Sequence, residues 1–143
     1  MIKKNRSLIK FTFASDYRGG LVAIDFEKQL PFNPKRFFTT FDVPSDAVRG
    51  EHAHFECDQV LFAIAGEIRV LLNDGFHRQE FLLDDPTVGL YVPKLTWGTQ
   101  EHLTSSSILG VFASRVYEES DYIRNFDSYF ELVRHNRFDR KTH

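Results

Sequence analysis

Short apolar or alternating runs, separated by turn-forming residues, occupy most of this chain. Hydrophobic residues alternate or continue over strand lengths in the segments LVAIDF, KRFFTTFDV, HAHFECDQVLFAIAG, TVGLYVPKLTW and SSILGVFASRVY. A further segment, EIRVLLNDGFHRQEFLL, predicts a hairpin, because Asn73, Asp74 and Gly75 tolerate the positive φ of a tight turn between apolar arms. Many short strands at nearly even spacing predict an all-β jelly roll or small barrel whose interior can hold one ligand.

The hydrophobic period becomes helical only near the end of the chain, in ESDYIRNFDSYFELVRHNR. The apolar residues at helical spacing are Ile123, Phe126, Phe130 and Val133. Asp127 or Ser128 is suited to cap the first turn. The pattern therefore predicts a short helix in the tail after about residue 120, packed on the β domain.

Composition and charge favour a small-molecule partner. The 143 residues carry 18 Lys+Arg and 20 Asp+Glu, a net charge of −2, without the basic stripe of a nucleic-acid-binding protein. No apolar run approaches the ~20 residues of a membrane helix, so we expect no membrane partner. The single cysteine, Cys57, excludes an internal disulfide, and we expect it to be a small buried residue. The polar start MIKKNRSLIK lacks the apolar region of a secretory signal, which favours a cytoplasmic protein.

Two histidines in the stretch RGEHAHFECDQV are the first candidates for chemistry. His52 and His54 are two positions apart, so both imidazoles project from the same face of a strand. Such a pair is half of a metal site, a pair of ordinary strand histidines, or a proton-transfer pair, because the imidazole pKa lies near neutral pH. The pattern alone leaves these three interpretations open.

The stretch resembles the first motif of the cupins, in which HxH is followed after four residues by glutamate and after six more by glycine. Gln59 stands in the glutamate position here, and Gly98 stands where the second motif, PxGxxH, places its histidine. A metal-binding cupin would use two histidines, the glutamate and the last histidine, and this chain keeps only His52 and His54. Because transition-metal sites generally use three or four protein ligands, we expect no bound metal.

Several segments together resemble the sugar 3,4-ketoisomerases that act on dTDP-4-keto-6-deoxyglucose, a family of the cupin superfamily. The similar segments run in the same order from about Ile9 to Phe130: YRGGLVAID, PFNPKRFFTTFDV, RGEHAH, DQVLFAIAGEIRVLLNDG, PTVGLYVPKLTW and VFASRVYEESDYIRNFDSYF. The resemblance implies a cupin jelly roll, or double-stranded β-helix, with a short C-terminal helix. It also implies one domain over residues 1–143 with a core of about 9–130, and a homodimer with exchanged N-terminal strands. The expected product is a dTDP-3-keto sugar destined for a 3-amino-3,6-dideoxyhexose of surface polysaccharide.

The chemistry of such an enzyme requires only proton transfers, so no cofactor is expected. A base removes the C3 proton, which the C4 carbonyl acidifies, and the enediol is then reprotonated at C4. We assign His52 as the base and His54 as its partner. The resemblance further implies that Arg49 and Gln59 line the pocket. The other expected substrate contacts are Arg18 and Arg36 to sugar or pyrophosphate, Tyr91 and Trp97 at the mouth, and His102, carried by the polar loop GTQEHLTSS.

Two departures from the family affect these expectations. Phe38 and Thr39 stand where many relatives have tyrosines, so a hydroxyl donor near the sugar would come from Thr39 or Tyr17. Gly98 replaces a histidine or arginine, and we expect that position to influence which face of C4 receives the proton. The sequence leaves open a gluco or galacto product. It also leaves open a non-catalytic nucleotide-sugar-binding cupin, a 3,5-epimerase that pairs one histidine with a tyrosine acid, and a metal-dependent dioxygenase.

Overall fold

The computed structural model describes residues 7–142, with side chains described as far as residue 135, so residues 1–6 and 143 of the predicted domain lie outside the described residues. The elements are β1 (Leu8–Lys10), β2 (Thr12–Asp16), β3 (Gly19–Ala23), α1 (Phe26–Gln29), β4 (Arg36–Thr40), β5 (Val48–His54), β6 (Gln59–Ala65), β7 (Ile68–Asn73), β8 (Arg78–Leu83), β9 (Val88–Val92), β10 (Trp97–His102), β11 (Ile108–Ala113), a 3-10 turn (Glu119–Asp121), β12 (Tyr122–Ile123) and α2 (Phe126–Thr142).

Two five-stranded antiparallel sheets form the body of the fold. Sheet 1 has the order β1-β9-β6-β11-β4, and sheet 2 has the order β12-β5-β10-β7-β8. Alternate residues of both sheets meet in one apolar core, which includes Leu61, Val70, Leu90 and Val111, each at most 2% exposed. Burial of alternate residues on two facing sheets is the packing of a jelly roll. The predicted all-β cupin architecture with a C-terminal helix is confirmed.

The segment HAHFECDQVLFAIAG was predicted as one strand, and that prediction is wrong. It forms β5 in sheet 2 and β6 in sheet 1, with a turn between them. Side chains from distant parts of the chain bind much of the backbone of this turn, together with backbone bonds to Asp121 and Ser114. The Asp121 carboxylate accepts the N–H groups of Glu56 and Cys57 at 2.8 and 3.1 Å, and the Asp58 N–H donates to the Ser114 hydroxyl at 2.8 Å. His52 and His54 therefore lie where the chain leaves one sheet for the other.

The predicted hairpin is confirmed as β7 and β8, with Asn73 opposite Arg78 at the turn. Gly75 has φ +93°, and its N–H donates to the Asn73 side-chain oxygen at 2.8 Å. Helix α2 lies against this turn so closely that a Cβ on Gly75 would be 2.3 Å from the Val133 side chain. Glycine is therefore needed both for its backbone conformation and for the helix to approach.

The C-terminal helix begins at Phe126, later than the sequence pattern suggested. Ile123 belongs to β12 instead, and the side chain of Asn125, not Asp127 or Ser128, caps the helix by accepting the Ser128 N–H at 2.9 Å. Its apolar face packs over Ala53 and Ile123 on the outer side of sheet 2. Within the described part of the chain, no helix combines the length and apolarity needed to span a membrane.

Candidate active site

A β-bulge in β5 sets the direction of the first histidine. Gly98 of β10 lies opposite His52, but Thr99 lies opposite Gly50, so Glu51 is the extra residue on this strand. Gly50 and Glu51 have φ of +84° and +56°. A Cβ on Gly50 would lie 2.8 Å from the Gly98 carbonyl oxygen, so only glycine fits this position. The bulge brings the Gly50 carbonyl within 2.9 Å of the His52 Nδ1 atom.

The two histidines form one cluster with Tyr122. The ring centroids of His52 and His54 are 4.8 Å apart at 81°, and Tyr122 lies 5.0 Å from His52 and 4.5 Å from His54. His54 is only 6% exposed, whereas Ala53 is buried on the opposite side of β5, against α2. The prediction that both imidazoles share one face is confirmed. The cluster lies at the end of the sheets where β5, β10 and β12 meet.

Burial and nearby positive charges keep both imidazoles neutral. Burial lowers the pKa of His52 below its ordinary value, its hydrogen bond to Gly50 partly offsets this, and the charges of Arg124, Arg36 and Arg49 lower it further. Burial lowers the pKa of His54 to about 3, with additional contributions from His52, Arg36 and Arg124. Neutral imidazoles near pH 7 are suited to accept a proton.

The tautomer of His52 follows from its hydrogen bond. A carbonyl oxygen can only accept, so Nδ1 carries the hydrogen and donates to Gly50, which leaves Nε2 as the basic nitrogen. The Nε2 atom of His54 and the Nε atom of Arg36 are buried without a hydrogen-bond partner among the described residues. Buried polar groups in native proteins are normally paired. The Arg36 charge acts on both imidazoles, so these two groups leave hydrogen-bonding capacity near the pair that a polar ligand can use.

Three guanidinium groups act electrostatically on the histidines. Arg36 begins β4 and shares the interior face with Phe38, because the two are separated by two strand positions; its guanidinium lies 5.2 Å from the Phe38 ring and 5.6 Å from the Tyr117 ring. Arg124 lies 4.4 Å from the Tyr122 ring and donates two hydrogen bonds to Glu119, at 2.9 and 3.0 Å. Sequence reasoning predicted Arg36 and Arg49 but missed Arg124, although it stands in the quoted segment VFASRVYEESDYIRNFDSYF.

Gln59 and Gly98 also face the interior. Gln59 is 7% exposed and shares its face of β6 with the core residue Leu61. Gly98 lies opposite His52, so both residues face the same side of sheet 2. A Cβ on Gly98 would meet the Leu72 side chain at 3.4 Å and otherwise has ordinary space, so a side chain could project beside His52.

Arg18 and Tyr91 are not brought to the histidines within this chain. Arg18 lies at the tip of the β2–β3 hairpin, where its side chain is 74% exposed and binds Asp16 at 2.7 Å. Tyr91 packs on the outer face of sheet 1, in the cluster of Phe11 and Val60, and burial together with a hydrogen bond to Asp58 raises the pKa of its phenol.

Trp97 and His102 have structural roles in this chain. Trp97 lies beneath α2, with ring centroids 5.2 Å from Phe126 and 5.6 Å from Tyr129. His102 was predicted on a polar loop, but it ends strand β10, four residues beyond Gly98, and is 1% exposed. Its Nδ1 donates to the Ser107 carbonyl at 3.2 Å, so its Nε2 accepts from the Thr40 hydroxyl at 3.1 Å. The expectation that a polar loop carries His102 to the substrate is therefore wrong, because both ring nitrogens are bonded inside the fold.

The donor set does not fit a transition-metal site. The described side chains include no group of three or more His, Cys, Asp or Glu residues arranged to hold a metal ion. The neutral amide of Gln59 and the missing side chain at Gly98 leave only the two imidazoles in the cupin ligand positions. Cys57 is 3% exposed in the turn after β5, as expected of a small buried residue.

Similarity to known proteins extends along nearly the whole chain. The family described as FdtA: WxcM-like, C-terminal matches residues 4–134. A TDP-4-oxo-6-deoxy-alpha-D-glucose-3,4-oxoisomerase from Aneurinibacillus thermoaerophilus is 43% identical over 126 residues, which cover 88% of this chain and 91% of that protein.

Solved structures of similar proteins share the fold. A double mutant of the QdtA 3,4-ketoisomerase from Thermoanaerobacterium thermosaccharolyticum, in complex with TDP, superposes with a TM-score of 0.88 at 36% identity, over 91% of this chain and 94% of that chain. The WlaRB TDP-quinovose 3,4-ketoisomerase from Campylobacter jejuni gives 0.81 at 34% identity, over 87% and 95%. These matches confirm the resemblance inferred from the sequence motifs.

Proposed function

The chain belongs to the family described as FdtA: WxcM-like, C-terminal, and from that premise we propose that it converts TDP-4-keto-6-deoxyglucose to a TDP-3-keto-6-deoxyhexose. The predicted enzyme class, an isomerase, is confirmed by the relatives. The substrate is the dTDP-sugar expected from the sequence, and a related enzyme in complex with TDP supports the nucleotide part. The observation that carries the proposal is a neutral histidine pair beside an unpaired buried guanidinium nitrogen.

Proton transfer through His52 accounts for the reaction. Its unprotonated Nε2 removes the proton from C3 of the sugar, and the electron pair of that bond forms the double bond of an enediolate whose charge rests on the C4 oxygen. Movement of the C3 hydroxyl proton to the C4 oxygen and delivery of a proton to C4 then complete the ketone at C3 and the hydroxyl at C4, so the protons balance without a redox partner. A positioned acid–base group contributes about 10²–10⁴-fold to such a step.

His54 and Arg36 are the other two groups that take part in the proposed reaction. Arg36 places a buried, unpaired Nε–H beside the histidines, where it can donate to the enediolate oxygen in a site of low dielectric. His54 stays neutral because burial lowers its pKa to about 3, so it acts through hydrogen bonds and proton relay and not as an imidazolium. Metal-independent catalysis follows from this division of roles.

The configuration at C4 depends, in this proposal, on the space at Gly98. The position faces the same side as His52 and accepts a Cβ without a close contact. We expect Gly98→His and Gly98→Arg to fold and to change the ratio of gluco to galacto 3-keto products, read from proton coupling constants. Identical ratios of gluco to galacto product in the wild type and both variants would show that residue 98 does not determine the configuration at C4.

The homodimer and the pathway are also parts of the proposal. Phe13 and Leu21 of the β2–β3 hairpin are 60% and 62% exposed, and this hairpin pairs only within itself in the described chain. Its apolar surface supports a second copy of the chain as partner through the exchanged N-terminal strands. Sedimentation at micromolar concentration should give a dimer, and Leu21→Asp should weaken it. A 3-keto product is the substrate that a transaminase requires to make a 3-amino-3,6-dideoxyhexose.

Proton NMR in heavy water tests the central proposal. The chelator-treated enzyme should convert TDP-4-keto-6-deoxyglucose to a 3-keto product with solvent deuterium at C4, and His52→Asn should lower turnover by about 10²-fold or more. His77→Asn, on the exposed hairpin turn, is the matched control and should retain turnover.

Binding without exchange would instead indicate a nucleotide-sugar-binding cupin. Deuterium at C3 and C5 without movement of the ketone would indicate a 3,5-epimerase, and activity restored only by metal would refute the metal-free mechanism.

A further inference from the structure

Tyr122 has a place in this site that sequence reasoning did not assign. Its ring contacts His54 at 4.5 Å and 60°, and His52 at 5.0 Å and 67°. The two imidazoles are themselves nearly perpendicular. Three rings in mutual contact restrict one another, because close-packed side chains leave little room for any one of them to turn.

The backbone around Tyr122 is fixed to the strand that carries the histidines. Tyr122 lies opposite His54 in the antiparallel pair of β12 and β5. The preceding residue, Asp121, is buried and accepts the backbone N–H groups of Glu56 and Cys57 with its carboxylate. Its carbonyl accepts a third N–H, from Phe55, at 3.0 Å. Tyr122 and His54 therefore occupy directly opposite positions in a segment held on both sides.

A charged group and an aromatic group also contact the Tyr122 ring. The Arg124 guanidinium lies 4.4 Å from the Tyr122 ring centroid and is itself fixed by two hydrogen bonds to Glu119. Tyr117 lies 5.6 Å from Tyr122, and its hydroxyl donates to Glu119. A cation over a tyrosine ring is favourable, so Arg124 stabilises the ring in the position where it contacts the histidines.

We propose that Tyr122 is a positioning residue for the ketoisomerase reaction, whose ring fixes the angles of the His52 and His54 imidazoles and excludes water from His54. This role rests on the function proposed above. The contribution comes from the ring and not from its hydroxyl, because the ring makes the contacts to both histidines. Small misplacements of reacting groups cost as much as about 10²-fold in rate, which is the scale available to such a residue.

Tyr122→Ala removes the ring, and Tyr122→Phe keeps it without the hydroxyl. We expect Tyr122→Ala to lower kcat by about 10–100-fold with KM nearly unchanged, because substrate contacts remain while the base is no longer oriented. NMR titration of the imidazoles should show the pKa of His54 rising from about 3 toward its ordinary value as water enters. Tyr122→Phe should restore both kcat and the low His54 pKa.

Phe126→Ala is the matched control, since it removes a neighbouring ring that contacts Trp97 and Tyr129. It should lower stability without moving the His54 titration. If Tyr122→Ala does not fold, Tyr122→Leu serves in its place. Unchanged kcat together with an unchanged His54 titration in Tyr122→Ala or Tyr122→Leu would overturn the proposal. A loss of kcat in Tyr122→Phe as large as that in Tyr122→Ala would also overturn it. If the wild type did not turn over the keto sugar, the proposed function would fail, whereas the imidazole titrations would still decide whether Tyr122 orders the pair.

Discussion

Acidification should weaken the fold through His54. Burial holds the pKa of this imidazole at about 3, against an ordinary value of 6.5 in the unfolded chain. Between those two values the unfolded state binds a proton that the native state does not bind. Stability that is present above pH 6.5 is therefore lost as the pH falls.

The size of the stability loss follows from the pH interval between the unfolded and native pKa values of His54. Each pH unit below 6.5 removes about 1.4 kcal/mol, so lowering the pH from 6.5 to about 5 removes about 2 kcal/mol through His54. His52 contributes in the same direction, because burial and the charges of the arginines also lower its pKa. Ordinary carboxyl groups titrate mainly below about pH 5, so the histidines dominate this interval.

Urea denaturation at about pH 7 and about pH 5 measures the effect. The wild type should lose about 2 kcal/mol or more of unfolding free energy between the two conditions, and His54→Asn should lose about 2 kcal/mol less than the wild type. Ile123→Val, which trims a buried residue beside Tyr122, should be less stable by a similar amount at both pH values. Parallel losses in the wild type and His54→Asn would refute a neutral buried His54.

Three further substitutions test the supports of the fold, each by the midpoint and slope of urea unfolding. Asp121→Ala leaves two backbone N–H groups of the turn after β5 without their acceptor and should cost about 2 kcal/mol or more; an unchanged midpoint would contradict this bond pattern. Tyr129→Phe removes a hydroxyl whose single hydrogen is shared between two backbone carbonyls, at O···O distances of 2.8 and 2.9 Å, and should cost about 1 kcal/mol. Gly66→Ala should cost more than about 1 kcal/mol, because φ is +73° and the new Cβ would lie 2.4 Å from the Ser107 hydroxyl; wild-type stability would show that this turn can shift.

Local patterns predicted the parts of this protein whose structure depends on neighbouring residues. The hairpin at Asn73–Gly75 is one such part, since turn chemistry and flanking apolar arms are both local. The shared face of His52 and His54 is another, because strand geometry fixes it at a spacing of two. The order of the motifs further identified the family, which the comparisons confirm.

Local sequence patterns did not predict the strand WGTQEH or the turn after β5. Strand β10 is polar along much of its length, yet it lies between β5 and β7, and its hydrogen bonds come from both neighbours. The turn after β5, with the sequence FECD, alternates apolar and polar residues as a strand does, but the carboxylate of Asp121, more than sixty positions away in the chain, accepts two of its backbone N–H groups. Long-range hydrogen bonds overrode local preference at both places.

The sequence by itself determined the strand-rich class, the family and the shared face of the two histidines, because residue types and short spacings carry that information. Only the tertiary structure decided that Tyr122 and Arg124 join the pair, and that Trp97 and His102 are structural supports elsewhere. Folding brings β12 onto β5 across nearly seventy residues of chain, and it places the two ends of β10 in different environments. Burial, which lowers the pKa of His54, arises in the same step, since it depends on the elements packed around the imidazole and not on its neighbours in sequence.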